Sequence, residues 1–135
     1  MSSLKRMLDT HPHPAGSNGD VARDCIEACS ACAQACTVCA DACLSEEQHV
    51  LRLVTCIRLN LDCADVCRVT AQLLTRPSHR DAPALQALLE ACIQICKACA
   101  DECGGHASMQ HCKICADVCR KCVDACEAMA AALVP

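Results

Sequence analysis

Cysteine recurs along this chain at the spacing of one face of an α-helix. A first group follows steps of four, three, four, three and four residues: Cys25, Cys29, Cys32, Cys36, Cys39 and Cys43. A thiolate is a nucleophile, a redox group and a soft metal ligand. Residues three and four apart are neighbours on a helix, so this spacing predicts a line of sulfur along roughly 27 Å of one helix. The chemistry is therefore repeated along a line, and no single nucleophile stands out.

The amino-acid composition indicates that these thiols fill the core of the protein. The chain of 135 residues contains 18 Cys and no Phe, Tyr or Trp, and its length is that of one domain. The aromatic side chains that dominate ordinary cores are missing. Such a density of cysteine is typical of a disulfide scaffold in a small secreted protein or of metal binding in a cytosolic one.

The N-terminal sequence and the charge favour the second class. Residues 1–16 contain no apolar run of signal-peptide length, no twin arginine and no small-residue cleavage site, and no later stretch has the apolar length of a membrane span. These features predict a cytoplasmic protein. The formal charge of −4 comes from interspersed acids and bases. We therefore expect no nucleic-acid partner and no membrane partner.

Three further segments repeat this spacing, which predicts four helices with inward-facing cysteines. Asn60 occupies the second line where another thiol is expected, either as an amide-oxygen ligand or as a packed residue hydrogen-bonded to a thiolate. We predict an all-α, antiparallel up-down-up-down four-helix bundle with a Cys-lined core in residues 20–135, preceded by a short N-terminal helix and linker in residues 1–19. The cysteines on the last three lines are Cys56, Cys63, Cys67, Cys92, Cys96, Cys99, Cys103, Cys112, Cys115, Cys119, Cys122 and Cys126.

Local signals predict where these helices begin and end. Residues 45–48 read as a capping box, so the second helix is expected to start at once after a tight turn. Asp81 follows a break that contains proline and is the expected N-cap of the third helix, which should end at Gly104 and Gly105. Ser108 is the expected N-cap of the fourth helix.

The antiparallel order gives the predicted bundle two different ends. One end collects apolar side chains that would close it: Leu74, Leu85, Leu89, Met129 and Leu133. The other collects thiols and imidazoles: Cys43, Cys103, Cys112, His49, His106 and His111. We interpret this second end as an entrance for metal, because His49 and His111 fall on or next to the inward-facing line. The histidines outside it, His11, His13 and His79, are expected to be solvated.

The spacing favours Cu(I) among the metals that bind sulfur. Zinc fingers use two short Cys or His pairs separated by a longer loop, and the bacterial ferredoxin run is C-x2-C-x2-C-x3-C followed by proline. Neither pattern is a continuous helical stripe. Cu(I) accepts two or three ligands, so thiols of one helix or of two facing helices can hold it. One monovalent ion per thiolate keeps the core near neutral, which predicts on the order of 18 Cu(I) ions.

Other interpretations of the cysteines stay open at this point. The chain could be a thiol redox protein, an iron–sulfur protein or a zinc buffer. A purely structural role suits one or two buried cysteines but not this many. A disulfide ladder is disfavoured because neighbouring cysteines of one helix point in parallel. No base with an orienting partner singles out one thiol, so we do not expect an enzyme.

Three segments carry a resemblance to a known family: CIEACSACAQACTVCADAC, CIQICKACADEC and HCKICADVCRKCVDAC. The chain resembles the bacterial copper storage proteins, and the missing export signal is similar to their cytosolic branch. The resemblance covers residues 20–129. It implies a bundle in which every cysteine binds Cu(I), an entrance bearing His or Met to which His106 and His111 correspond, and assembly as a homotetramer.

Overall fold

Five helices make up the regular structure of this computed structural model, which describes residues 3–13, 18–78 and 80–134. A short 3₁₀ turn, Val50–Leu53, precedes the third of them. The helices are α1 (Ser3–Asp9), α2 (Gly19–Leu44), α3 (Val54–Leu74), α4 (Ala82–Gly104) and α5 (Gln110–Ala132). Within the described ranges, none of these helices is long and apolar enough to cross a membrane.

The four long helices form an antiparallel bundle. Helix α2 packs against α3 and α5, and α4 packs against the same two helices. Helices that follow one another in the chain are therefore neighbours around the bundle, which is the up-down-up-down order. The predicted all-α four-helix bundle is confirmed. The short α1 lies outside it and packs against α2, with Leu4 and Leu8 against the core.

Small side chains let the four helices approach one another. Alanines that directly follow a cysteine are buried beside it, and these include Ala33, Ala40, Ala64, Ala100 and Ala116. Because the distance between packed helices depends on the side chains at their contact, a seam of Cys and Ala brings the four helix axes close together. This proximity is what brings the sulfur atoms of different helices into contact.

The two ends of the bundle differ as the connectivity predicts. Leu74, Leu85, Leu89 and Met129 are buried where α3 and α5 end and α4 begins, and Leu133 packs against the same cluster. This set is called the apolar floor below. The opposite end, where α2 and α4 finish and α3 and α5 start, is called the mouth.

The connection between α2 and α3 differs from the predicted capping box. Ser45 is the C-cap of α2, and its backbone N–H bonds to the carbonyls of Asp41 and Ala42. Since that N–H completes the last turn of α2, Ser45 cannot also open the next helix. The chain then passes through a turn and the 3₁₀ segment, which buries Leu53, before α3 begins at Val54. The capping-box prediction is wrong.

The other predicted caps have mixed outcomes. Asp81 is the N-cap of α4, and its Oδ1 accepts a hydrogen bond of 3.0 Å from the backbone N–H of Ala84. Helix α4 ends at Gly104 as expected. Ser108 is not the N-cap of α5, because Met109 takes that position without a side-chain cap. Of the loop histidines, His13 is exposed and His11 is half-buried, whereas His79 lies outside the described residues.

The Asp81 cap gives a direct test of this fold. Asp81→Ala should lower the free energy of unfolding by about 1 kcal/mol, because the N–H of Ala84 loses its acceptor at the start of α4. Asp81→Asn is the matched control and should keep most of the stability, since an asparagine side chain caps equally well. Urea unfolding of the reduced, copper-free protein, followed by circular dichroism, measures both. Equal losses in the two variants would contradict the cap.

Candidate metal centre

All 18 cysteines lie inside the bundle. Each is buried, and none is in a disulfide. The sulfur lines of α2, α4 and α5 run along most of each helix, whereas α3 contributes only Cys56, Cys63 and Cys67. The four helical stripes thus converge on one axis that runs from the apolar floor to the mouth.

Sulfur atoms of different helices are as close as those of one helix. Across helices, the Sγ atoms of Cys56 and Cys103 are 3.3 Å apart. Along one helix, Cys39 and Cys43 at positions i and i+4 are 4.0 Å apart. A disulfide bond is about 2.05 Å long, so these are unbonded thiols in contact. Each pair is spaced so that a single soft ion could bridge it.

The thiols gather in groups of four whose sulfur atoms all lie within 4.8 Å of one another. One group takes a thiol from each of the four long helices. Successive groups share members, since Cys32, Cys36, Cys119 and Cys122 each belong to two of them. The groups, from floor to mouth, are Cys29, Cys92, Cys122 and Cys126; Cys32, Cys67, Cys96 and Cys122; Cys32, Cys36, Cys63 and Cys119; and Cys36, Cys99, Cys115 and Cys119.

Asn60 stands among the thiols, as its place on the cysteine line predicts. It is completely buried. Its Oδ1 accepts hydrogen bonds from the thiols of Cys99 at 3.1 Å, Cys115 at 3.2 Å and Cys103 at 3.5 Å. Its Nδ2 donates to Cys56 Sγ at 3.6 Å. The amide therefore satisfies both of its polar atoms with sulfur, in the half of the core nearer the mouth.

His111 meets the thiols at the mouth. Its Nδ1 lies 3.5 Å from Cys39 Sγ and 3.6 Å from Cys112 Sγ, and with these two residues and Cys43 it forms another group of four possible ligands. Its Nε2 lies 2.9 Å from Glu46 Oε2. The imidazole is thus placed between the outermost thiols and a carboxylate.

The other two predicted histidines have different surroundings. His106 Nε2 lies 2.9 Å from Glu102 Oε2, a contact formed within one turn of the chain at the end of α4. His49 is half-buried, and its Nδ1 lies 3.2 Å from Arg52 Nη2 in a contact at the surface. All three histidines therefore lie at the mouth, but among the contacts described here only His111 approaches a thiol.

Sequence reasoning missed the two carboxylates at the mouth. The pairing of Glu102 with His106 has a helical spacing of four residues that could have indicated it. Glu46 had been assigned to the capping box, and its partner His111 is 65 residues further along the chain. No local signal in the sequence connects these two residues.

Burial and sulfur contacts set the acidity of the thiols. At the mouth, burial raises the pKa of Cys43 from an ordinary 9.0 to about 12, and burial likewise raises the pKa of Cys112. Hydrogen bonding from Cys103 lowers the pKa of Cys56. Because a thiol must lose its proton to bind a metal, a metal ion bound by Cys43 and Cys112 would displace their protons.

The geometry narrows the chemistry of the site. A single group of four thiolates could form a tetrahedral zinc site. If two groups that share a thiol are both occupied, the shared thiolate must bridge their two ions. Soft sulfur sites select Cu(I), zinc or iron–sulfur clusters. The described core offers long, overlapping sulfur groups with an imidazole at one end. That arrangement suits many monovalent ions better than a few separate divalent ones.

Comparison with known proteins decides between these metals. A family model described as "Copper storage protein" matches residues 18–131. The chain belongs to the copper storage protein family. This assignment confirms the resemblance to the copper storage proteins. The matched residues contain all 18 cysteines of the core.

Solved copper storage proteins are similar to this chain in both sequence and fold. Ccsp from Streptomyces lividans, loaded with 10 copper equivalents, is 47% identical with a TM-score of 0.91, over 96% of this chain and 98% of that one. A cytosolic copper storage protein of the same organism, with five coppers, is 51% identical with a TM-score of 0.80, over 83% and 93% of the two chains. Cu(I)-bound BsCsp3 is 38% identical with a TM-score of 0.71, over 82% and 98%.

The raised pKa values of Cys43 and Cys112 predict how stability depends on pH. The folded state holds the Cys43 and Cys112 protons more tightly than the unfolded chain. For Cys43, the contribution to stability is complete below about pH 9 and is lost as pH rises toward 12; the pKa of Cys112 is shifted in the same direction. We expect the reduced, copper-free protein to unfold at lower urea concentration at pH 11 than at pH 8. Anaerobic urea titrations measure this difference.

A variant separates these thiols from other groups that titrate in the same range. Cys43→Ala should show a smaller loss of stability between pH 8 and pH 11 than the unchanged protein, because one proton fewer is lost on unfolding. The lysines titrate equally in both proteins and cancel from the comparison. Identical losses would show that the Cys43 thiol is not protonated more tightly in the folded state.

Proposed function

We propose that this protein stores Cu(I) in the core of its bundle. The observation that carries the proposal is the overlap of the thiol groups, in which one sulfur belongs to two neighbouring groups. Shared thiolates can bridge neighbouring Cu(I) ions, so the core can hold many ions at close spacing. Family membership and the copper-loaded relatives support the same conclusion.

The proposed ligands are the 18 cysteines, and their charge sets the capacity. A buried thiolate is costly unless a positive charge compensates it. One Cu(I) per thiolate leaves the filled core near neutral, which corresponds to about 18 ions. Zinc at the same ratio would leave a large positive charge, and zinc at one ion per four thiolates would leave a large negative one. Asn60 is proposed as an additional oxygen ligand or as a hydrogen-bond donor to the thiolate of Cys56.

Copper is proposed to enter at the mouth. The floor is closed by buried Leu and Met side chains, whereas His111 offers Nδ1 beside Cys39 and Cys112 and is itself partly exposed. This imidazole can receive an ion from outside and pass it to the adjacent thiols. His106 and His49 are proposed as weaker contributors, because their ring nitrogens contact Glu102 and Arg52.

We propose the cellular location and the class of function from the same relatives. The family is one of storage proteins, and we propose that this chain binds copper and does not catalyse a reaction. A relative from Streptomyces lividans is described as cytosolic, and we propose the cytosol for this chain too. There, a closed core of thiolates would keep Cu(I) away from other thiols of the cell.

Assembly into a homotetramer is part of the proposal. Val38 on α2 is 64% exposed, and Leu61 on the adjacent α3 is 48% exposed. Large apolar side chains on two neighbouring helices favour a contact with another copy of the chain. Helical spacing places Val54 and Ile57 on the same face of α3 as Leu61, but Ile57 is buried within the single chain.

Copper titration tests the storage function. The reduced protein, titrated anaerobically with Cu(I) against a chelator of known affinity, should take up about 18 equivalents before the chelator retains metal. Loading should release protons, because neutral thiols such as Cys43 must ionise to bind. Saturation at two to four equivalents would instead indicate isolated sites and would exclude storage.

A matched pair of variants tests the role of the shared thiols. Cys119 belongs to two groups of four, whereas Cys92 belongs to one of those described above. Cys119→Ala should lower the capacity more than Cys92→Ala, since it removes a bridge between neighbouring ions. Equal capacities in the two variants would contradict bridging by Cys119.

Assembly is tested by molecular mass. Sedimentation should give about four times the chain mass of 14.3 kDa. A double variant with Val38→Glu and Leu61→Glu should sediment as a smaller species, because removing a carboxylate from water at an apolar contact costs free energy. Val134→Glu, at an exposed apolar position just beyond the end of α5, is the control. Dissociation of the control alone would place the contact at the C-terminal end of α5 instead.

A further inference from the structure

We propose that Glu46 is a positioning residue that holds the His111 imidazole with its Nδ1 facing the thiols of the mouth. The inference rests on the proposed function, because it assigns Glu46 a role in receiving Cu(I) at that end. It adds a residue that is neither a thiol nor a metal ligand. Its basis is a contact between the connection that follows α2 and the first turn of α5.

Two contacts of one imidazole carry the proposal. Glu46 Oε2 lies 2.9 Å from His111 Nε2, and the other ring nitrogen lies 3.5 Å from Cys39 Sγ and 3.6 Å from Cys112 Sγ. A neutral imidazole has one N–H donor and one acceptor nitrogen, and an ionised carboxylate can only accept. For a neutral His111, these contacts favour the N–H on Nε2, beside Glu46, and direct the lone pair of Nδ1 at the sulfur atoms.

This arrangement prepares the ring for a metal ion. A histidine that binds a metal through one nitrogen commonly donates its other N–H to a carboxylate, which fixes both the tautomer and the orientation of the ring. Without Glu46, the two neutral tautomers and a rotated ring would compete. Only part of the population would then present an unprotonated Nδ1 to an incoming ion.

The backbone of Glu46 is itself tied to the site. Its N–H donates to the carbonyl of Cys43 at 3.2 Å, and its carbonyl accepts from the N–H of His49 at 2.8 Å. The first of these bonds fixes Glu46 relative to a thiol of the same mouth group. Glu46 therefore connects the end of α2 to His111 on α5, whereas Glu102 reaches only His106 in its own turn.

A spectrum of the copper-free protein tests the positioning role without any metal. Long-range ¹H–¹⁵N correlation of the histidine rings distinguishes a protonated ring nitrogen from an unprotonated one. At a pH high enough for the imidazole to be neutral, His111 should show a protonated Nε2 and an unprotonated Nδ1. Glu46→Ala should give a mixture of tautomers, and Glu46→Gln should restore much of the single form, because the glutamine oxygen also accepts a hydrogen bond. Glu47→Ala, at the exposed next residue, is the control and should leave the spectrum unchanged.

Copper transfer tests the consequence for loading. The rate at which the first equivalent of Cu(I) moves from a chelator complex to the protein should fall about tenfold in Glu46→Ala and much less in Glu46→Gln, which is the size of effect expected for a residue that orients a metal ligand. In a His111→Ala background, Glu46→Ala should cause no further decrease. Circular dichroism and thermal unfolding of each variant establish that the bundle is folded.

The outcomes separate this inference from the proposed function. An unchanged His111 tautomer in Glu46→Ala, or an equal further loss of rate in the His111→Ala background, would overturn the positioning role. A protein that fails to take up many Cu(I) ions would overturn storage, while the copper-free spectrum would still decide the role of Glu46. A mixed tautomer in Glu46→Ala together with restoration by Glu46→Gln would support it.

Discussion

Contact between sulfur atoms of four different helices is the constraint on which the rest of the molecule depends. Thiols recur at every third or fourth residue along the seams of α2, α4 and α5, and α3 adds three more. Small neighbours such as Ala40 and Ala116 bring the helices close enough for those thiols to touch. A protonated thiol packs as a small apolar group, so the same side chains can form a core before any ion arrives. This separates the bundle from zinc fingers, which need their metal in order to fold.

The sequence predicted the parts of the fold that depend on periodicity and chain order. The inward lines, the floor around Leu89 and the position of Asn60 follow from helical spacing and antiparallel connectivity. The Asp81 cap was recognisable because proline and aspartate act locally. The capping-box prediction for residues 45–48 was wrong because Ser45 lies where α2 completes its last turn. A residue can be the N-cap of the next helix only if its backbone has already left the preceding one. The Ser108 prediction was wrong because Met109, one residue later, is the N-cap of α5.

The arrangement at the mouth could be predicted only in part. Spacing placed His49 on the inward line and His111 next to it, and it gave no reason to prefer His111. The structure separates them by their partners, because His49 contacts Arg52 while His111 lies between two thiols and Glu46. These contacts depend on where the α2–α3 connection passes in relation to α5. A one-dimensional pattern contains no information about that path.

The two ends also explain how a closed core could be filled under the proposed function. An ion bound near His111 lies next to Cys39 and Cys112, and the groups beyond share thiols as far as Cys122 near the floor. Within these overlapping groups, Cu(I) could advance by exchanging one thiolate for the next, so no step there requires a bare ion in an apolar interior. The apolar floor makes this path one-ended. Filling and emptying then both pass the few side chains at the mouth, which is why the orientation of a single imidazole there bears on the whole store.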